Sequence, residues 1–358
     1  MPSLFNSLTA GPFTFSNRIF MAPLTRCRAD AKHVPTLIMA EYYSQRATAG
    51  LIIAEATMAI EGNSAFGARE PGIYSDAQVA GWRNVTDAVH AKGGLIFLQV
   101  WHGGRACHPL LNNGAQPVAP SAIAITGDEI HTPEGKKPYV VPRELRDAEI
   151  PAIVEGFRKA AVNAMTAGFD GVEIHGANGY LIDEFLRDGS NKRSAPYGGP
   201  LENRARLLLE IVDAVAKVCG KERVGVRISP LNSYNDMKDS DPVAVTRYVA
   251  SQLNERGICY LHLMRADLLG IQEGDLVSTA RKEFHGVLIG NMGYTKEEAD
   301  SAIASGQLDA VAFGHQYVSN PDMVERFKLN AELASPNAST FYTNDARGYT
   351  DYPALAAA

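Results

Sequence analysis

Short runs of apolar residues recur along the chain, and between them apolar positions repeat at the spacing of an α-helix. Eight such runs are bounded by turn residues, a pattern that is typical of buried parallel strands joined by crossover helices. We predict the strands at 18–22, 50–56, 95–100, 170–175, 223–228, 258–263, 286–290 and 309–314. The helical pattern covers 38–48, 77–92, 147–166, 200–219, 241–256, 275–283 and 295–305, with a last helix that starts near residue 320.

This alternation continues without a long break that could divide two domains. An uninterrupted set of eight strands favours a (β/α)8 barrel, the TIM barrel, over an open doubly wound sheet. We therefore predict a single domain over 1–358. Residues 4–17 are expected to form an N-terminal β-hairpin, and 103–143 a capping insertion after the third strand with small strands of its own. Residues 336–358 are expected to form a strap over the barrel.

The composition of the chain limits the kinds of partner that we expect the barrel to bind. Of 358 residues, 46% are hydrophobic and 21% charged, and the net charge of −6 gives no basic surface for nucleic acid. The four cysteines lack disulfide or metal spacing, and His102 and His108 on either side of Cys107 have no regular ligand geometry. We expect reduced thiols in the cytoplasm and no metal. The N-terminus does not resemble a signal peptide, and no apolar run approaches the ~18 residues of a membrane span.

The stretch 170–187 carries the chemistry that stands out most. A buried strand stops at His175, and Asn178 and Tyr180 follow in a turn before helical spacing resumes. Two side-chain donors where a strand becomes a loop can hold one oxygen atom between them while a phenol supplies a proton. The alternative is a strand end with an ordinary loop histidine, an asparagine in a left-handed turn and a half-packed tyrosine. This stretch alone does not decide between the two.

Residues that do chemistry in a (β/α)8 barrel lie at the carboxyl ends of the strands. Those ends carry, in chain order, Pro23-Leu24-Thr25, Ala56, Gln99 with Trp101, His175 with Asn178, Arg227, His262 or Arg265, Met292-Gly293 and Gly314-His315. Glycine-rich loops after the seventh and eighth strands commonly bind phosphate through backbone amides, although glycine there also serves as ordinary turn chemistry. Neither a P-loop nor a Rossmann glycine motif occurs in the sequence.

Two polar residues inside strands indicate a ring-shaped ligand. Arg227 lies in an apolar strand, where a charge is costly unless an anion or an electron-rich group meets it. Gln99 offers a donor and an acceptor, so a heteroaromatic ring with carbonyls and an imide would satisfy both side chains. The alternative is an ion pair between Arg227 and a buried carboxylate, either Glu55 or Glu173.

These motifs together resemble one known family. The segments are PLTR at 23–26, EAT at 55–57, QVWH at 99–102, EIHGANGYLIDEFL at 173–186, NKRSAPYGG at 191–199, ENR at 202–204, VRISP at 226–230, AFGHQYVSNPD at 312–322 and GYTDYP at 348–353. They are similar to those of the old yellow enzymes, the flavin-dependent ene-reductases that include the N-ethylmaleimide, morphinone and oxophytodienoate reductases. The resemblance covers essentially the whole chain, and it implies a (β/α)8 barrel that holds FMN non-covalently at the C-terminal face.

The resemblance also implies how the cofactor is held. Thr25 would bond the flavin carbonyl beside N5, Gln99 the pyrimidine edge, and Arg227 the N1 atom with its neighbouring carbonyl. Threonine rather than cysteine at position 25 places the chain with the larger branch of the family. The remaining contacts would come from Pro23, Leu24 and Ala56 along the ring, and from the amides around Met292, Gly293, Gly314 and His315 at the phosphate.

The reaction implied by the resemblance is the reduction of an activated alkene. NAD(P)H, with NADPH favoured, would reduce FMN and leave, and an α,β-unsaturated carbonyl, a maleimide or a nitroalkene would then enter the same site. His175 and Asn178 would hold its oxygen, a hydride would pass from N5, and Tyr180 would protonate the α-carbon. The substrate would also contact Thr25, Trp101 and the tail residue Tyr349. The molecule is expected to be a monomer or a homodimer.

One position departs from the family, because an arginine usually follows the eighth strand where this chain has His315. Histidine loses its charge around neutral pH, whereas arginine keeps it. We therefore expect FMN to be held more weakly than usual, and more weakly as pH rises from about 6 to about 8. The alternative is that backbone amides hold the phosphate while His315 faces water.

Two other functions fit the sequence less well. Other FMN barrels, such as amine dehydrogenase or dienoyl reductase relatives, add an iron–sulfur or Rossmann module, and this chain lacks the cysteine cluster and the length. A protein that stores or senses FMN without turnover would not need His175, Asn178 and Tyr180. Bleaching of the flavin by NADPH and its recovery with an alkene separates turnover from binding.

Overall fold

Eight parallel strands close into a barrel in the computed structural model, which describes residues 1–67 and 69–355. A hairpin precedes the barrel, and four short strands lie in the connection after its third strand. In chain order the strands are β1 (Leu8–Ala10), β2 (Phe13–Phe15), β3 (Ile19–Met21), β4 (Ile52–Met58), β5 (Ile96–Trp101), β6 (Val118–Ala119), β7 (Glu129–Thr132), β8 (Gly135–Pro138), β9 (Arg143–Glu144), β10 (Gly171–Gly176), β11 (Val224–Ile228), β12 (Tyr260–Met264), β13 (Val287–Asn291) and β14 (Ala310–Phe313). The barrel order is β3-β4-β5-β10-β11-β12-β13-β14, and β14 pairs with β3, so the predicted (β/α)8 fold is confirmed.

Helices separate successive barrel strands. They are α1 (Leu37–Gln45), α2 (Asp76–His90), α3 (Ile150–Thr166), α4 (Leu181–Leu186), α5 (Leu201–Arg204), α6 (Arg206–Cys219), α7 (Pro242–Arg256), α8 (Leu276–Glu283), α9 (Lys296–Ala304), α10 (His315–Ser319) and α11 (Met323–Leu329). Their apolar faces form one large cluster with the outward-facing strand residues. A second cluster joins Phe13 and Phe15 of the hairpin to Phe20 and Phe97 inside the barrel. The hairpin therefore closes the end of the barrel at which the strands begin.

The last helices differ from the prediction. Instead of one helix from about residue 320, α10 begins at His315 directly after β14, and α11 begins at Met323. The helix is interrupted because Asn320 precedes Pro321, and a residue before proline avoids the α-helical region. Asn320 accordingly has φ −128° and ψ 84°. The predicted helix over 200–219 is likewise divided, into α5 and α6.

Strand β4 carries one extra residue relative to β5. The pairing moves from Ala54 with Leu98 to Thr57 with Val100, so β4 advances three residues while β5 advances two. A bulge of this kind redirects side chains and is common at the rim of a barrel. The residues inside it, 55 and 56, belong to the EAT motif.

The insertion over 103–143 forms a cap with two small sheets. Strand β6 pairs with β9, and β7 pairs with β8 as an antiparallel hairpin whose turn is Pro133-Glu134; Gly135 follows the turn with φ +91°. The small strands predicted in this segment are thus present. Among residues 1–67 and 69–355, no helix combines the length and the apolar character needed to cross a membrane.

Candidate active site

His175 is the penultimate residue of β10 and lies beside Arg227 in the register of β10 and β11. Its side chain is buried, and its Nδ1 accepts the backbone N–H of Ala177 over 3.3 Å. The proton of the neutral ring therefore sits on Nε2, which can donate a hydrogen bond. Burial lowers the pKa of His175 well below its usual value, and the charges of Arg227 and His262 lower it further. The imidazole is consequently a neutral donor at neutral pH.

Asn178 is fixed by three residues that follow β11. Its backbone has φ +60°, a left-handed conformation that asparagine tolerates better than most residues. The Asn178 N–H donates to Ser229 Oγ over 2.8 Å, and its carbonyl oxygen accepts from Asn235 Nδ2 over 2.9 Å. Its side-chain Oδ1 accepts from Asn232 Nδ2, also over 2.9 Å. The left-handed turn that an ordinary loop asparagine would form is therefore present. In addition, the side-chain amide of Asn178 is held by Asn232.

Tyr180 lies against His175, two positions after Asn178 in the sequence. Its ring packs edge-to-face on His175 at 5.2 Å between ring centres and on Trp101 at 5.1 Å. Burial raises the pKa of Tyr180 well above its usual value, and the neighbouring Tyr234 and Tyr139 raise it further. The phenol therefore keeps its proton through the neutral pH range and can serve as an acid.

A buried polar network lies below these residues. Gln99 Nε2 donates to Glu173 Oε1 over 2.7 Å, and His262 Nδ1 lies 2.9 Å from Glu173 Oε2. Because its NH₂ group is engaged, Gln99 presents its Oε1 as an acceptor. The imide N–H of a flavin is the donor that this acceptor fits.

Arg227 does not form the ion pair that was the alternative. Its NH2 donates to Asn291 Oδ1 over 2.8 Å, and its Nε is buried without a hydrogen-bond partner among the residues described. Glu173 is occupied as above, and Glu55 accepts from the backbone of Arg26 and from the Tyr43 hydroxyl. A buried cation with an unsatisfied N–H fits an electron-rich ring edge such as that of FMN.

The loop after β3 supplies the next part of the rim. The bond from the Arg26 N–H to the Glu55 carboxylate spans 3.1 Å and ties this loop to the bulge in β4. Leu24 and Thr25 are half-buried, and a Cβ added to Gly314 would lie 3.4 Å from Leu24 Cδ2. The ends of β3, β4 and β14 therefore form one continuous wall, which also contains the buried Pro23 and Ala56.

The turn after β13 has two left-handed residues, Met292 with φ +85° and Gly293 with φ +68°. Their carbonyl oxygens accept from Arg265, at 2.9 Å in each case. Since the N–H of a trans peptide points away from its carbonyl, the two following N–H groups point away from Arg265 and are available to an anion. After β14, His315 begins α10 and is exposed, with its ring edge-on to Phe341.

In the C-terminal tail, the position of Tyr349 differs from the predicted contact with the substrate. Tyr349 is fully buried and stacks on Tyr42 of α1 with ring centres 4.0 Å apart, so it packs the tail down and has no face toward a substrate. Its position is held by Arg26 and Arg28, whose guanidinium groups lie over its ring and bond tail carbonyls. Tyr342 is the tail tyrosine that lines the open cavity.

That cavity has a volume of about 590 Å³ and lies between the cap and the tail. Aromatic side chains dominate its apolar wall, and charged groups from the cap hairpin lie at its edge: Phe66, Tyr139, Tyr234 and Tyr342, with Asp128, Glu129 and Lys136. The Phe66 ring is 6.4 Å from the Tyr180 ring, which connects the cavity to the donors below. An aromatic slot above two hydrogen-bond donors suits a flat polar molecule.

Comparison with known proteins agrees with this geometry. The model of the NADH:flavin oxidoreductase / NADH oxidase family matches residues 3–334. A probable flavin mononucleotide-dependent alkene reductase of Leishmania infantum is 51% identical over 98% of this chain and 97% of its own. The old yellow enzyme homologue of Zymomonas mobilis is 48% identical with a TM-score of 0.95, over 99% of this chain and 100% of that one. Morphinone reductase in complex with tetrahydroNAD is 45% identical with a TM-score of 0.94, over 99% of this chain and 98% of that one.

The chain therefore belongs to the NADH:flavin oxidoreductase family, in its old yellow enzyme group, as the motifs indicated. The sequence also led to most of the residues that the barrel brings together. It did not lead to Asn232, Glu173 as the partner of Gln99, or Tyr342. No motif identifies a loop asparagine whose partner is 54 positions away, although NSYN at 232–235 is unusually rich in hydrogen-bonding groups for a strand-end loop.

Proposed function

We propose that this protein is an FMN-dependent reductase that uses NAD(P)H to reduce the C=C bond of activated alkenes. The observation that carries the proposal is the pair of neutral donors, His175 Nε2 and Asn178 Nδ2, beside the protonated phenol of Tyr180. FMN, when bound, supplies the hydride chemistry. The chain's own residues position the substrate and supply the proton.

The residues that would hold FMN each offer one suitable group. Gln99 Oε1 would accept from the imide, Arg227 would donate to the electron-rich edge of the ring, and Thr25 lies on the rim of the site. The first N–H groups of α10 and those after Met292 would take the phosphate, with His315 next to them. The buried Pro23 and Ala56, together with the half-buried Leu24, give the ring an apolar wall.

The two donors polarise the substrate. A carbonyl or nitro oxygen held by His175 and Asn178 gains negative charge as the adjacent alkene is reduced, and donors fixed in advance stabilise that charge. Because the pKa of His175 lies well below its usual value, the ring donates without carrying a charge of its own. Tyr180 then gives its proton to the carbon next to the carbonyl, which completes the addition of one hydride and one proton.

The residues that select the substrate lie at the entrance of the site, farther from the reacting atoms. Trp101 is buried against Tyr180 and so orients the acid, while Tyr139, Tyr234 and Tyr342 line the entrance. We propose a cytoplasmic protein, which the four free, buried thiols support. Whether it is a monomer or a homodimer stays a prediction.

A direct test follows the colour of the purified protein. Yellow holoenzyme should bleach under NADPH without oxygen and recover its colour when 2-cyclohexenone or N-ethylmaleimide is added. Asn178→Ala should slow the recovery by about a hundredfold, the usual cost of one donor to a developing negative charge. Recovery that is as fast in Asn178→Ala as in the wild type would overturn the proposed roles. Colour that never bleaches would indicate a flavin-binding protein without turnover.

A further inference from the structure

We propose that Asn232 is a positioning residue, which sets the side-chain amide of Asn178 so that its NH₂ group, and not its oxygen, faces the substrate. This inference rests on the proposed function and adds a residue to it. Asn232 lies in the loop after β11, is 1% exposed and has no place in the wall of the cavity described above.

The orientation of Asn232 itself is fixed by the backbone. Its Oδ1 accepts the N–H of Leu268 over 3.2 Å and, more weakly, the N–H of Tyr234 over 3.4 Å. Backbone N–H groups can only donate, so the atom that meets them must be the amide oxygen. The Asn232 NH₂ group is thereby turned toward Asn178.

The same reasoning then fixes Asn178. The Asn232 NH₂ group donates to Asn178 Oδ1 over 2.9 Å. If the Asn178 amide were flipped, two NH₂ groups would face each other in a partly buried site, and one hydrogen bond would be lost. The Asn178 NH₂ group therefore stays on the other side, where no acceptor in residues 1–67 and 69–355 engages it. Each group in this series donates to the next one: the Leu268 N–H donates to Asn232, and Asn232 donates to Asn178. The Asn178 NH₂ group is then left to donate to the oxygen of a bound substrate.

Other contacts to Asn178 do not have this effect. Ser229 and Asn235 bond only its backbone N–H and carbonyl, so they hold the left-handed turn but leave the side-chain amide free to rotate. Asn232 is the residue that reaches the side-chain amide. A change at position 232 should therefore alter which group of Asn178 faces the substrate, without moving the turn.

Aspartate at position 232 reverses the preference. It has nearly the shape of asparagine and can still accept from Leu268, but as a carboxylate it has no proton to donate. Asn178 would then turn its NH₂ group toward Asp and present its oxygen to the oxygen of the substrate. Asn232→Asp should weaken binding of 2-cyclohexenone to the oxidised holoenzyme by about tenfold or more, because one donor becomes a repelling acceptor.

The test is a double-mutant cycle on the dissociation constant of 2-cyclohexenone, measured from the change in flavin absorbance. In the Asn178→Ala background, Asn232→Asp should change this constant by less than about twofold, since the group it controls is absent. In a Tyr180→Phe background its full effect should remain. FMN content and melting temperature are measured for every variant. Asn232→Ser, which frees Asn178 without reversing it, should give a smaller loss that also disappears with Asn178→Ala.

Three results would overturn the inference. The first is normal binding by Asn232→Asp, and the second is a loss that multiplies with that of Asn178→Ala. If Asn232→Asp does not fold, normal binding by Asn232→Ser is the third. None of these results contradicts the proposed function if Asn178→Ala alone weakens binding of 2-cyclohexenone. If Asn178→Ala itself binds and turns over normally, the proposed function fails first.

Discussion

Gln99 and Glu173 face each other inside the barrel, and the Gln99 NH₂ group donates to the carboxylate over 2.7 Å. Glu173 also engages His262 through its second oxygen. The carboxylate therefore decides that Gln99 offers an oxygen, and not an NH₂ group, to whatever lies above it. Under the proposed function, Glu173 would in this way favour a ring whose edge carries an N–H donor, by orienting Gln99.

Replacing Glu173 by glutamine should weaken the preference of Gln99 for presenting its side-chain oxygen. A glutamine can donate to Gln99 as well as accept from it, so the Gln99 amide could present either group. We expect the dissociation constant of FMN to rise about tenfold, the equivalent of one hydrogen bond to the imide. The measurement is a fluorescence titration of the apoprotein with FMN. Glu202→Gln, at an exposed position, is the matched control. Unchanged FMN affinity in Glu173→Gln would show that the orientation of Gln99 does not depend on this carboxylate.

His315→Arg should make the protein hold FMN more tightly. Residue 315 begins α10, next to the amides that would take the phosphate, and an arginine there would offer a planar pair of N–H donors with a permanent charge. This variant should release FMN about three to ten times more slowly than the wild type. Stopped-flow release of FMN checks this. The exposed His285, which precedes β13 at the opposite end of the barrel, provides the control His285→Arg. Release of FMN by His315→Arg at the wild-type rate would contradict the idea.

Substitutions at two of the three tail tyrosines, Tyr349 and Tyr342, should separate an effect on stability from an effect on binding. Tyr349 is buried and stacked on Tyr42, so Tyr349→Ala should lower the free energy of unfolding by about 3 kcal/mol. Tyr342 lines the cavity and is 61% exposed, so Tyr342→Ala should leave stability within about 0.5 kcal/mol and change alkene affinity instead. Urea unfolding and alkene titration of both variants measure the two effects. If Tyr349→Ala instead changed alkene affinity and Tyr342→Ala lowered stability, Tyr349 would be the residue that contacts the substrate.

The barrel and the donors could be predicted because their signals are local. Strands buried on both faces leave continuous apolar runs, and His175, Asn178 and Tyr180 are neighbours in the sequence. The tail could not be predicted in this way, since an irregular segment has no periodicity to say which tyrosine faces inward, and Tyr349 was assigned wrongly. Asn232 and Glu173 act on partners 54 and 74 positions away. Only the pairing of β10 with its two neighbouring strands, β5 and β11, brings those residues together.

The role of Tyr180 as the acid is central to the proposed chemistry, and Tyr180→Phe tests that role most directly. The two half-reactions should be timed separately in stopped flow. Reduction of the flavin by NADPH should keep its wild-type rate within about twofold, while reoxidation by 2-cyclohexenone should slow by about a hundredfold, because only the second step needs the phenol proton. Equal slowing of both steps, or reoxidation at the wild-type rate, would contradict the proposed chemistry of this site.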